Sequence, residues 1–148
     1  MRLCFLDFDG VLNSDRYFAA NPRVSGNANL DPDAIKMLCD FLEETNCWVV
    51  VSSTWRIGNT VEELREILTE RGFRDGSRII GKTTGRAMKS RGRQIDAYLK
   101  YHESRDLSFV ILDDDGDMEP HMANFVMTDS RVGLTKENLR EAKRILGV

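Results

Sequence analysis

Five short apolar runs recur along the chain and alternate with segments of helical character, and this alternation limits the possible folds more than any other feature. The second run, "CWVVVSS", is β-branched and carries no polar residue until its end. Such unbroken runs are typical of strands covered on both faces, as in parallel sheets. We predict strands at residues 2–8, 47–53, 77–83, 107–115 and 124–128.

Helix signals lie between and after these runs. Residues 31–46 begin with a capping Asp31 and with Pro32 at the first helical position. Similar signals indicate helices around residues 60–72, 95–99 and 135–147. Strand and helix in alternation predict an α/β fold: a three-layer, Rossmann-like parallel sheet of about five strands with helices on both faces.

The 148 residues suit one domain spanning 1–148, without room for a large cap. Three stretches look irregular, and the first, residues 13–30, is expected to form a flap or a small hairpin. No apolar run approaches the ~20 residues that span a bilayer. Strand-like sequence from Arg2 leaves no room for a signal peptide, and three scattered cysteines suit reduced thiols. We therefore expect a cytoplasmic protein without a membrane partner.

Polar residues follow three of the predicted strands directly. The first strand ends in Asp7 and Asp9, the second in Ser52 and Ser53, and the fourth in a run of acids that begins at Asp113. In an open parallel sheet these carboxyl ends share one edge, where ligands bind. Carboxylate oxygens are the ligands of hard cations, so this edge predicts a Mg²⁺ site beside hydroxyls suited to an anion.

These strand ends resemble the motifs of the haloacid dehalogenase (HAD) superfamily of phosphotransferases. The first motif, Asp-x-Asp-Gly-[Thr/Val], corresponds to residues 7–11, the second to "VVVSS", and the fourth to "VILDDD". More narrowly, "VVVSSTWR", "RGRQIDAYLK" and "FVMTDSRVGLT" resemble the phosphatase domains of RNA-repair proteins and polynucleotide kinase-phosphatases.

The resemblance implies a two-step phosphatase reaction. Asp7 would attack phosphorus and form an aspartyl phosphate, while Asp9 would act as general acid and then as general base. Mg²⁺ would be held by the Asp7 side chain, the Asp9 carbonyl and an acid of the fourth strand. We favour Asp113 as the direct ligand of the ion, because side chains alternate along a strand. Asp114 is assigned either as a further ligand or as a residue that contacts the ligands.

The phosphoryl group would be held by Ser52 and by backbone N–H groups near Ser53 and Gly10, according to the same resemblance. The family's third motif is a single basic residue. Arg91 lies just before a predicted helix, where that motif is expected, and Lys89 and Arg93 are its rivals.

The segment "KTTGRAMKSRGR", residues 82–93, is basic in a chain of net charge −3. It is either an ordinary solvated face or a surface for a substrate with more than one phosphate. With the resemblance to repair domains, it favours the 3′-phosphate end of RNA or DNA as substrate. The alternatives are a phosphatase of nucleotides or small phosphate esters, and a phosphate-binding module without turnover.

Overall fold

The computed structural model describes residues 1–23, 25–85, 89–102 and 105–148. Its five strands form one parallel sheet in the order β3-β2-β1-β4-β5. The strands are β1 (Arg2–Leu6), β2 (Cys47–Val51), β3 (Ile79–Lys82), β4 (Ser108–Asp113) and β5 (Phe125–Met127). The strand order reverses between β1 and β4, which makes the carboxyl ends of these two strands the switch point of the sheet.

The strands end one or two residues before their predicted ends, so most of the polar residues that follow them lie in loops. Backbone hydrogen bonds still tie the first loop residues to the sheet. The amide of Asp7 donates to Leu112, and that of Ser52 donates to Leu6, at 3.0 and 2.9 Å. The polar residues therefore leave the sheet edge from well-defined starting points.

In the described ranges the α-helices are α1 (Asp15–Ala20), α2 (Pro32–Thr45), α3 (Val61–Glu70), α4 (Arg91–Tyr101) and α5 (Lys136–Leu146). Asp31 caps α2, and Pro32 occupies its first turn, as predicted. Thr60 and Glu63 form a complete capping box at the start of α3. Thr135 begins α5 in the same way, with Asn138 as its reciprocal partner.

Helices cover both faces of the sheet, which confirms the three-layer fold. Side chains alternate along β1, so Cys4 and Leu6 face the layer of α2, α3 and α5. Leu3 and Phe5 face the opposite layer, where Ile95 of α4 packs. Each of these side chains is almost fully buried, and burial of an aliphatic or aromatic side chain stabilises a fold by roughly 1.5–3 kcal/mol.

The described part of the stretch at residues 13–30 contains a short helix and not the hairpin that was one of the two expectations. Ser14 caps α1 by accepting a hydrogen bond from the amide of Tyr17, and a 3₁₀ turn follows at Gly26–Asn29. A helix forms because this local cap satisfies its first amides. Within the residues described, no segment here forms a large cap, and no helix has the length and apolar character needed to cross a membrane.

Candidate active site

Three carboxylates meet at the switch point. Asp7 follows β1, Asp113 ends β4, and Asp114 is the next residue. One oxygen atom from each lies within 4.8 Å of the other two. Asp7 is 5% exposed and Asp113 is fully buried, so solvent screens their charges poorly.

Asp113 and Asp114 both reach the acidic cluster, contrary to the expectation from strand alternation. That expectation assumed that the strand continues through both residues, but β4 ends at Asp113. Asp114 lies beyond the end of the strand, so its side chain can turn toward the same cluster as the side chain of Asp113. Both acids therefore share one site with Asp7.

Among the described residues, Arg91 is the cation that pairs with this cluster. Its Nη1 atom lies 2.6 Å from Asp113 Oδ2 and 3.1 Å from Asp7 Oδ1. Arg91 is the first residue of α4, which Ser90 caps, and its amide donates to Asp117 Oδ2 at 3.1 Å. The start of the helix thus positions the guanidinium against both acids. Lys89, Arg91 and Arg93 were the candidates for the basic residue of the third motif. Among these three, Arg91 is the residue that contacts Asp7.

One guanidinium does not balance three carboxylates. Burial, together with the charge of Asp113, raises the pKa of Asp7 from 3.8 to about 8, although Arg91 opposes this. Burial likewise raises the pKa of Asp113, against the opposing charge of Arg91. The cluster presents three closely spaced carboxyl groups, which a cation would hold in their ionised form, and this donor set suits Mg²⁺.

Gly10 lies next to Asp114, and its backbone conformation requires glycine. Its φ is +82°, and a Cβ atom at this position would overlap the Asp114 carboxylate. The Gly10 N–H donates to Asn13 Oδ1 at 2.8 Å, and its carbonyl accepts from Thr128 Oγ1 at 2.8 Å. The amide of Gly10 itself is therefore engaged within the protein, contrary to a direct role in holding phosphate.

The hydroxyl of Ser52 is buried without a hydrogen-bond partner among the described residues. A buried orphan hydroxyl is costly, and a ligand that bonds it would remove that cost. Ser53 differs, because its Oγ accepts from the amide of Trp55 at 3.2 Å and begins the 3₁₀ turn Thr54–Arg56. Of the two serines, Ser52 is the one whose side chain is left for a ligand.

Asp9 lies apart from the acidic cluster, with its carboxylate exposed. Asn13 Nδ2 donates to Asp9 Oδ1 at 2.9 Å, and Trp55 Nε1 donates to Asp9 Oδ2 at 3.1 Å. Neither Asn13 nor Trp55 was predicted from the sequence to belong to the site. The hydrophobic character of tryptophan suggests packing, and the ring does pack on Phe8 with a centroid distance of 5.5 Å. Its N–H, however, is directed to Asp9.

Arg56 is a buried arginine that was not predicted from the sequence to belong to the site. Its Nε donates to the carbonyl of Thr83 at 2.9 Å, and its Nη1 donates to that of Ser53 at 3.2 Å. Its Nη2 donates to Gln94 Oε1 at 3.0 Å. Burial, and then the charge of Arg91, lower its pKa. Arg56 thus fixes the loops after β2 and β3 beside the acidic cluster.

The described cations of the basic segment at residues 82–93 lie in different surroundings. Lys82 Nζ donates to the carbonyls of Arg56 and Asn59, at 3.1 and 2.7 Å, so its ammonium is engaged. Arg86 lies outside the described residues. Lys89 and Arg93 are exposed on either side of Arg91 in sequence. Those two residues are the described cations of this segment that remain available to solvent.

A three-layer parallel sheet with acids and an arginine at its switch point is the architecture of a HAD-like α/β domain. The family model for the HAD domain in Swiss Army Knife RNA repair proteins matches residues 3–139. The chain belongs to this family, which confirms the superfamily and the resemblance to domains of RNA-repair proteins. No curated protein and no solved structure matched the chain.

Proposed function

We propose that this protein is a Mg²⁺-dependent phosphomonoesterase that removes the 3′-phosphate from nucleic acid ends, with RNA as the preferred substrate. The observation that carries the proposal is the contact of Arg91 with both Asp7 and Asp113, inside a cluster of three carboxylates. This arrangement supports the proposal, because the proposed nucleophile, oxygen ligands for a metal and a cation for phosphate would then lie next to one another.

Asp7 is the proposed nucleophile. Its carboxylate oxygen forms a bond to phosphorus, the bond from phosphorus to the ester oxygen breaks, and Asp9 gives that oxygen a proton. Asp9 then takes a proton from water, whose oxygen attacks phosphorus. The bond from phosphorus to Asp7 breaks, which releases inorganic phosphate and restores the Asp7 carboxylate.

The side chains of Asp7, Asp113 and Asp114 would hold the metal ion, with the backbone carbonyl of Asp9 as a further ligand. The Asp9 side chain lies outside the acidic cluster, so its carboxylate is left for proton transfer. Bound Mg²⁺ supplies positive charge that reduces the repulsion between the Asp7 carboxylate and the anionic phosphate.

Ser52 and Arg91 would bind the phosphoryl oxygens, together with backbone N–H groups near Ser53. The buried hydroxyl of Ser52 supports this role because no described protein group satisfies it. The role of Gly10 is spatial: it lets the backbone pass close to Asp114. Donors that are already in place cost no reorganisation during the reaction.

The substrate class rests on the family and on the surroundings of Arg91. The family model describes domains of RNA repair proteins. No described segment forms a large cap over the sheet edge, so the end of a polymer has access. Exposed Lys89 and Arg93, two positions before and after Arg91 in the sequence, would provide positive charge for neighbouring phosphates.

The test is a phosphate-release screen with Mg²⁺, comparing 3′-phosphorylated RNA and DNA oligonucleotides, 5′-phosphorylated oligonucleotides, mononucleotides and sugar phosphates. We expect the 3′-phosphorylated RNA to give the highest kcat/KM, and Asp7→Asn to reduce turnover by orders of magnitude. The exposed Asp33 on α2 offers a matched control, Asp33→Asn, with normal turnover. Folded Asp7→Asn protein with near-normal turnover would refute the mechanism, and preference for a sugar phosphate would refute the substrate.

A further inference from the structure

We infer that Asn13 and Trp55 are positioning residues that hold the Asp9 carboxylate in the orientation needed for proton transfer. This inference rests on the proposed function, in which Asp9 protonates the leaving oxygen. In the described hydrogen bonds, Asn13 and Trp55 contact Asp9 and do not contact the acidic cluster or Arg91. The inference gives these two residues a role in proton transfer.

The amide of Asn13 has its orientation fixed from both ends. Its Oδ1 accepts from the Gly10 N–H at 2.8 Å, which leaves Nδ2 to donate to Asp9 Oδ1 at 2.9 Å. Asn13 is only 4% exposed, so solvent offers little competition for either bond. The loop after β1 therefore carries its own donor for one oxygen of Asp9.

Trp55 holds the other oxygen from a different part of the fold. Its Nε1 donates to Asp9 Oδ2 at 3.1 Å across 46 positions of sequence. The indole ring packs on buried Phe8, and the amide of Trp55 is anchored by Ser53. The tryptophan is thus a rigid donor, and it links the end of β2 to the loop after β1.

Two donors from two directions restrict the rotation of an exposed carboxylate that would otherwise sample several rotamers. Each carboxylate oxygen accepts more than one hydrogen bond, so a position remains for the proton that is transferred. Proton transfer requires hydrogen-bond distance and alignment in the transition state. Fixing Asp9 in advance lowers the entropy cost of reaching that geometry.

The dependence of rate on the leaving group separates this role from a purely structural one. An alkyl phosphate needs its leaving oxygen protonated, whereas p-nitrophenolate is stable enough to leave with little help. With Mg²⁺ present, kcat/KM is measured for glycerol 2-phosphate and for p-nitrophenyl phosphate, and the ratio of the first to the second is compared among variants.

We expect Trp55→Phe, which keeps an aromatic ring against Phe8 and loses the N–H donor, to lower this ratio by about tenfold. Asn13→Asp keeps the acceptor for Gly10 but replaces the donor to Asp9 with an anion, and it should lower the ratio at least as much. Trp48→Phe is the matched control, because Trp48 lies in β2 and packs against the opposite layer of the fold.

The outcomes are distinct. A ratio that stays at the wild-type value in folded Trp55→Phe and Asn13→Asp, while Asp9→Asn lowers it, would overturn the inference and leave the proposed function intact. If Asp9→Asn also leaves the ratio unchanged, the acid role of Asp9 is wrong and the inference fails with it. If a variant lowers kcat/KM for both substrates by the same factor, the effect of the substitution is structural only.

Discussion

Replacing Arg91 with methionine removes the positive charge between two buried carboxylates while keeping an unbranched side chain of similar length. In the wild-type protein, Arg91 Nη1 contacts Asp113 at 2.6 Å and Asp7 at 3.1 Å, and its side chain is 16% exposed. In the variant, Asp7 and Asp113 face each other without this partner. We expect a large loss of stability that depends on both pH and Mg²⁺.

Removing one partner of a buried ion pair costs about 3–5 kcal/mol, because an uncompensated charge stays buried. For a domain of this size, that loss corresponds to a fall in melting temperature of about 6–20 °C. The fall should be greatest near pH 8 without metal. It should be smaller near pH 5, where protons neutralise the acids, and smaller with Mg²⁺, whose charge partly replaces that of Arg91.

Thermal unfolding of the wild-type protein, Arg91→Met and Arg93→Met measures this directly, at two pH values and with or without Mg²⁺. Arg93 is an exposed arginine two residues away, so Arg93→Met removes the same charge without opening the cluster. The turnover of Arg91→Met should also fall about 10²–10³-fold. A metal-free melting temperature within about 2 °C of the wild-type value at pH 8, or equal losses in both variants, would refute the reasoning.

Two further predictions concern the same site. Ser52→Ala should change stability by less than about 1 kcal/mol, because the buried hydroxyl lacks a partner among the described residues, yet lower kcat/KM about 10–100-fold. Ser108→Ala, at the start of β4, is the control, and a loss of stability without a loss of kcat/KM in Ser52→Ala would contradict the prediction. The metal-free protein should lose stability as pH rises from about 4 to about 8, because native Asp7 keeps a proton that the unfolded chain releases. For one proton, the free energy of unfolding falls by up to about 1.4 kcal/mol per pH unit. Mg²⁺ competes with that proton, so titration calorimetry should show tighter binding at high pH, and pH-independent binding would contradict the assignment.

Much of the fold could be predicted from local sequence, because strands and helix starts depend on neighbouring residues. The run at 47–53 indicated a strand covered on both faces, and Asp31 with Pro32 marked the start of α2. The acids at the sheet edge followed from the same reasoning, since parallel strands bring their carboxyl ends together. The strand ends were less predictable, and the error at β4 caused the wrong separation of Asp113 from Asp114.

Contacts between distant side chains were decided only by the tertiary structure. The sequence marked Asp9 as a candidate acid, but the 3.1 Å bond from Trp55 depends on how the turn after β2 meets the loop after β1. Similarly, Lys82 looked like a free cation until folding placed its ammonium on two backbone carbonyls. Periodicity and capping act over a few residues, whereas these contacts join segments more than 20 residues apart, whose relative positions are set by the packing of the whole sheet.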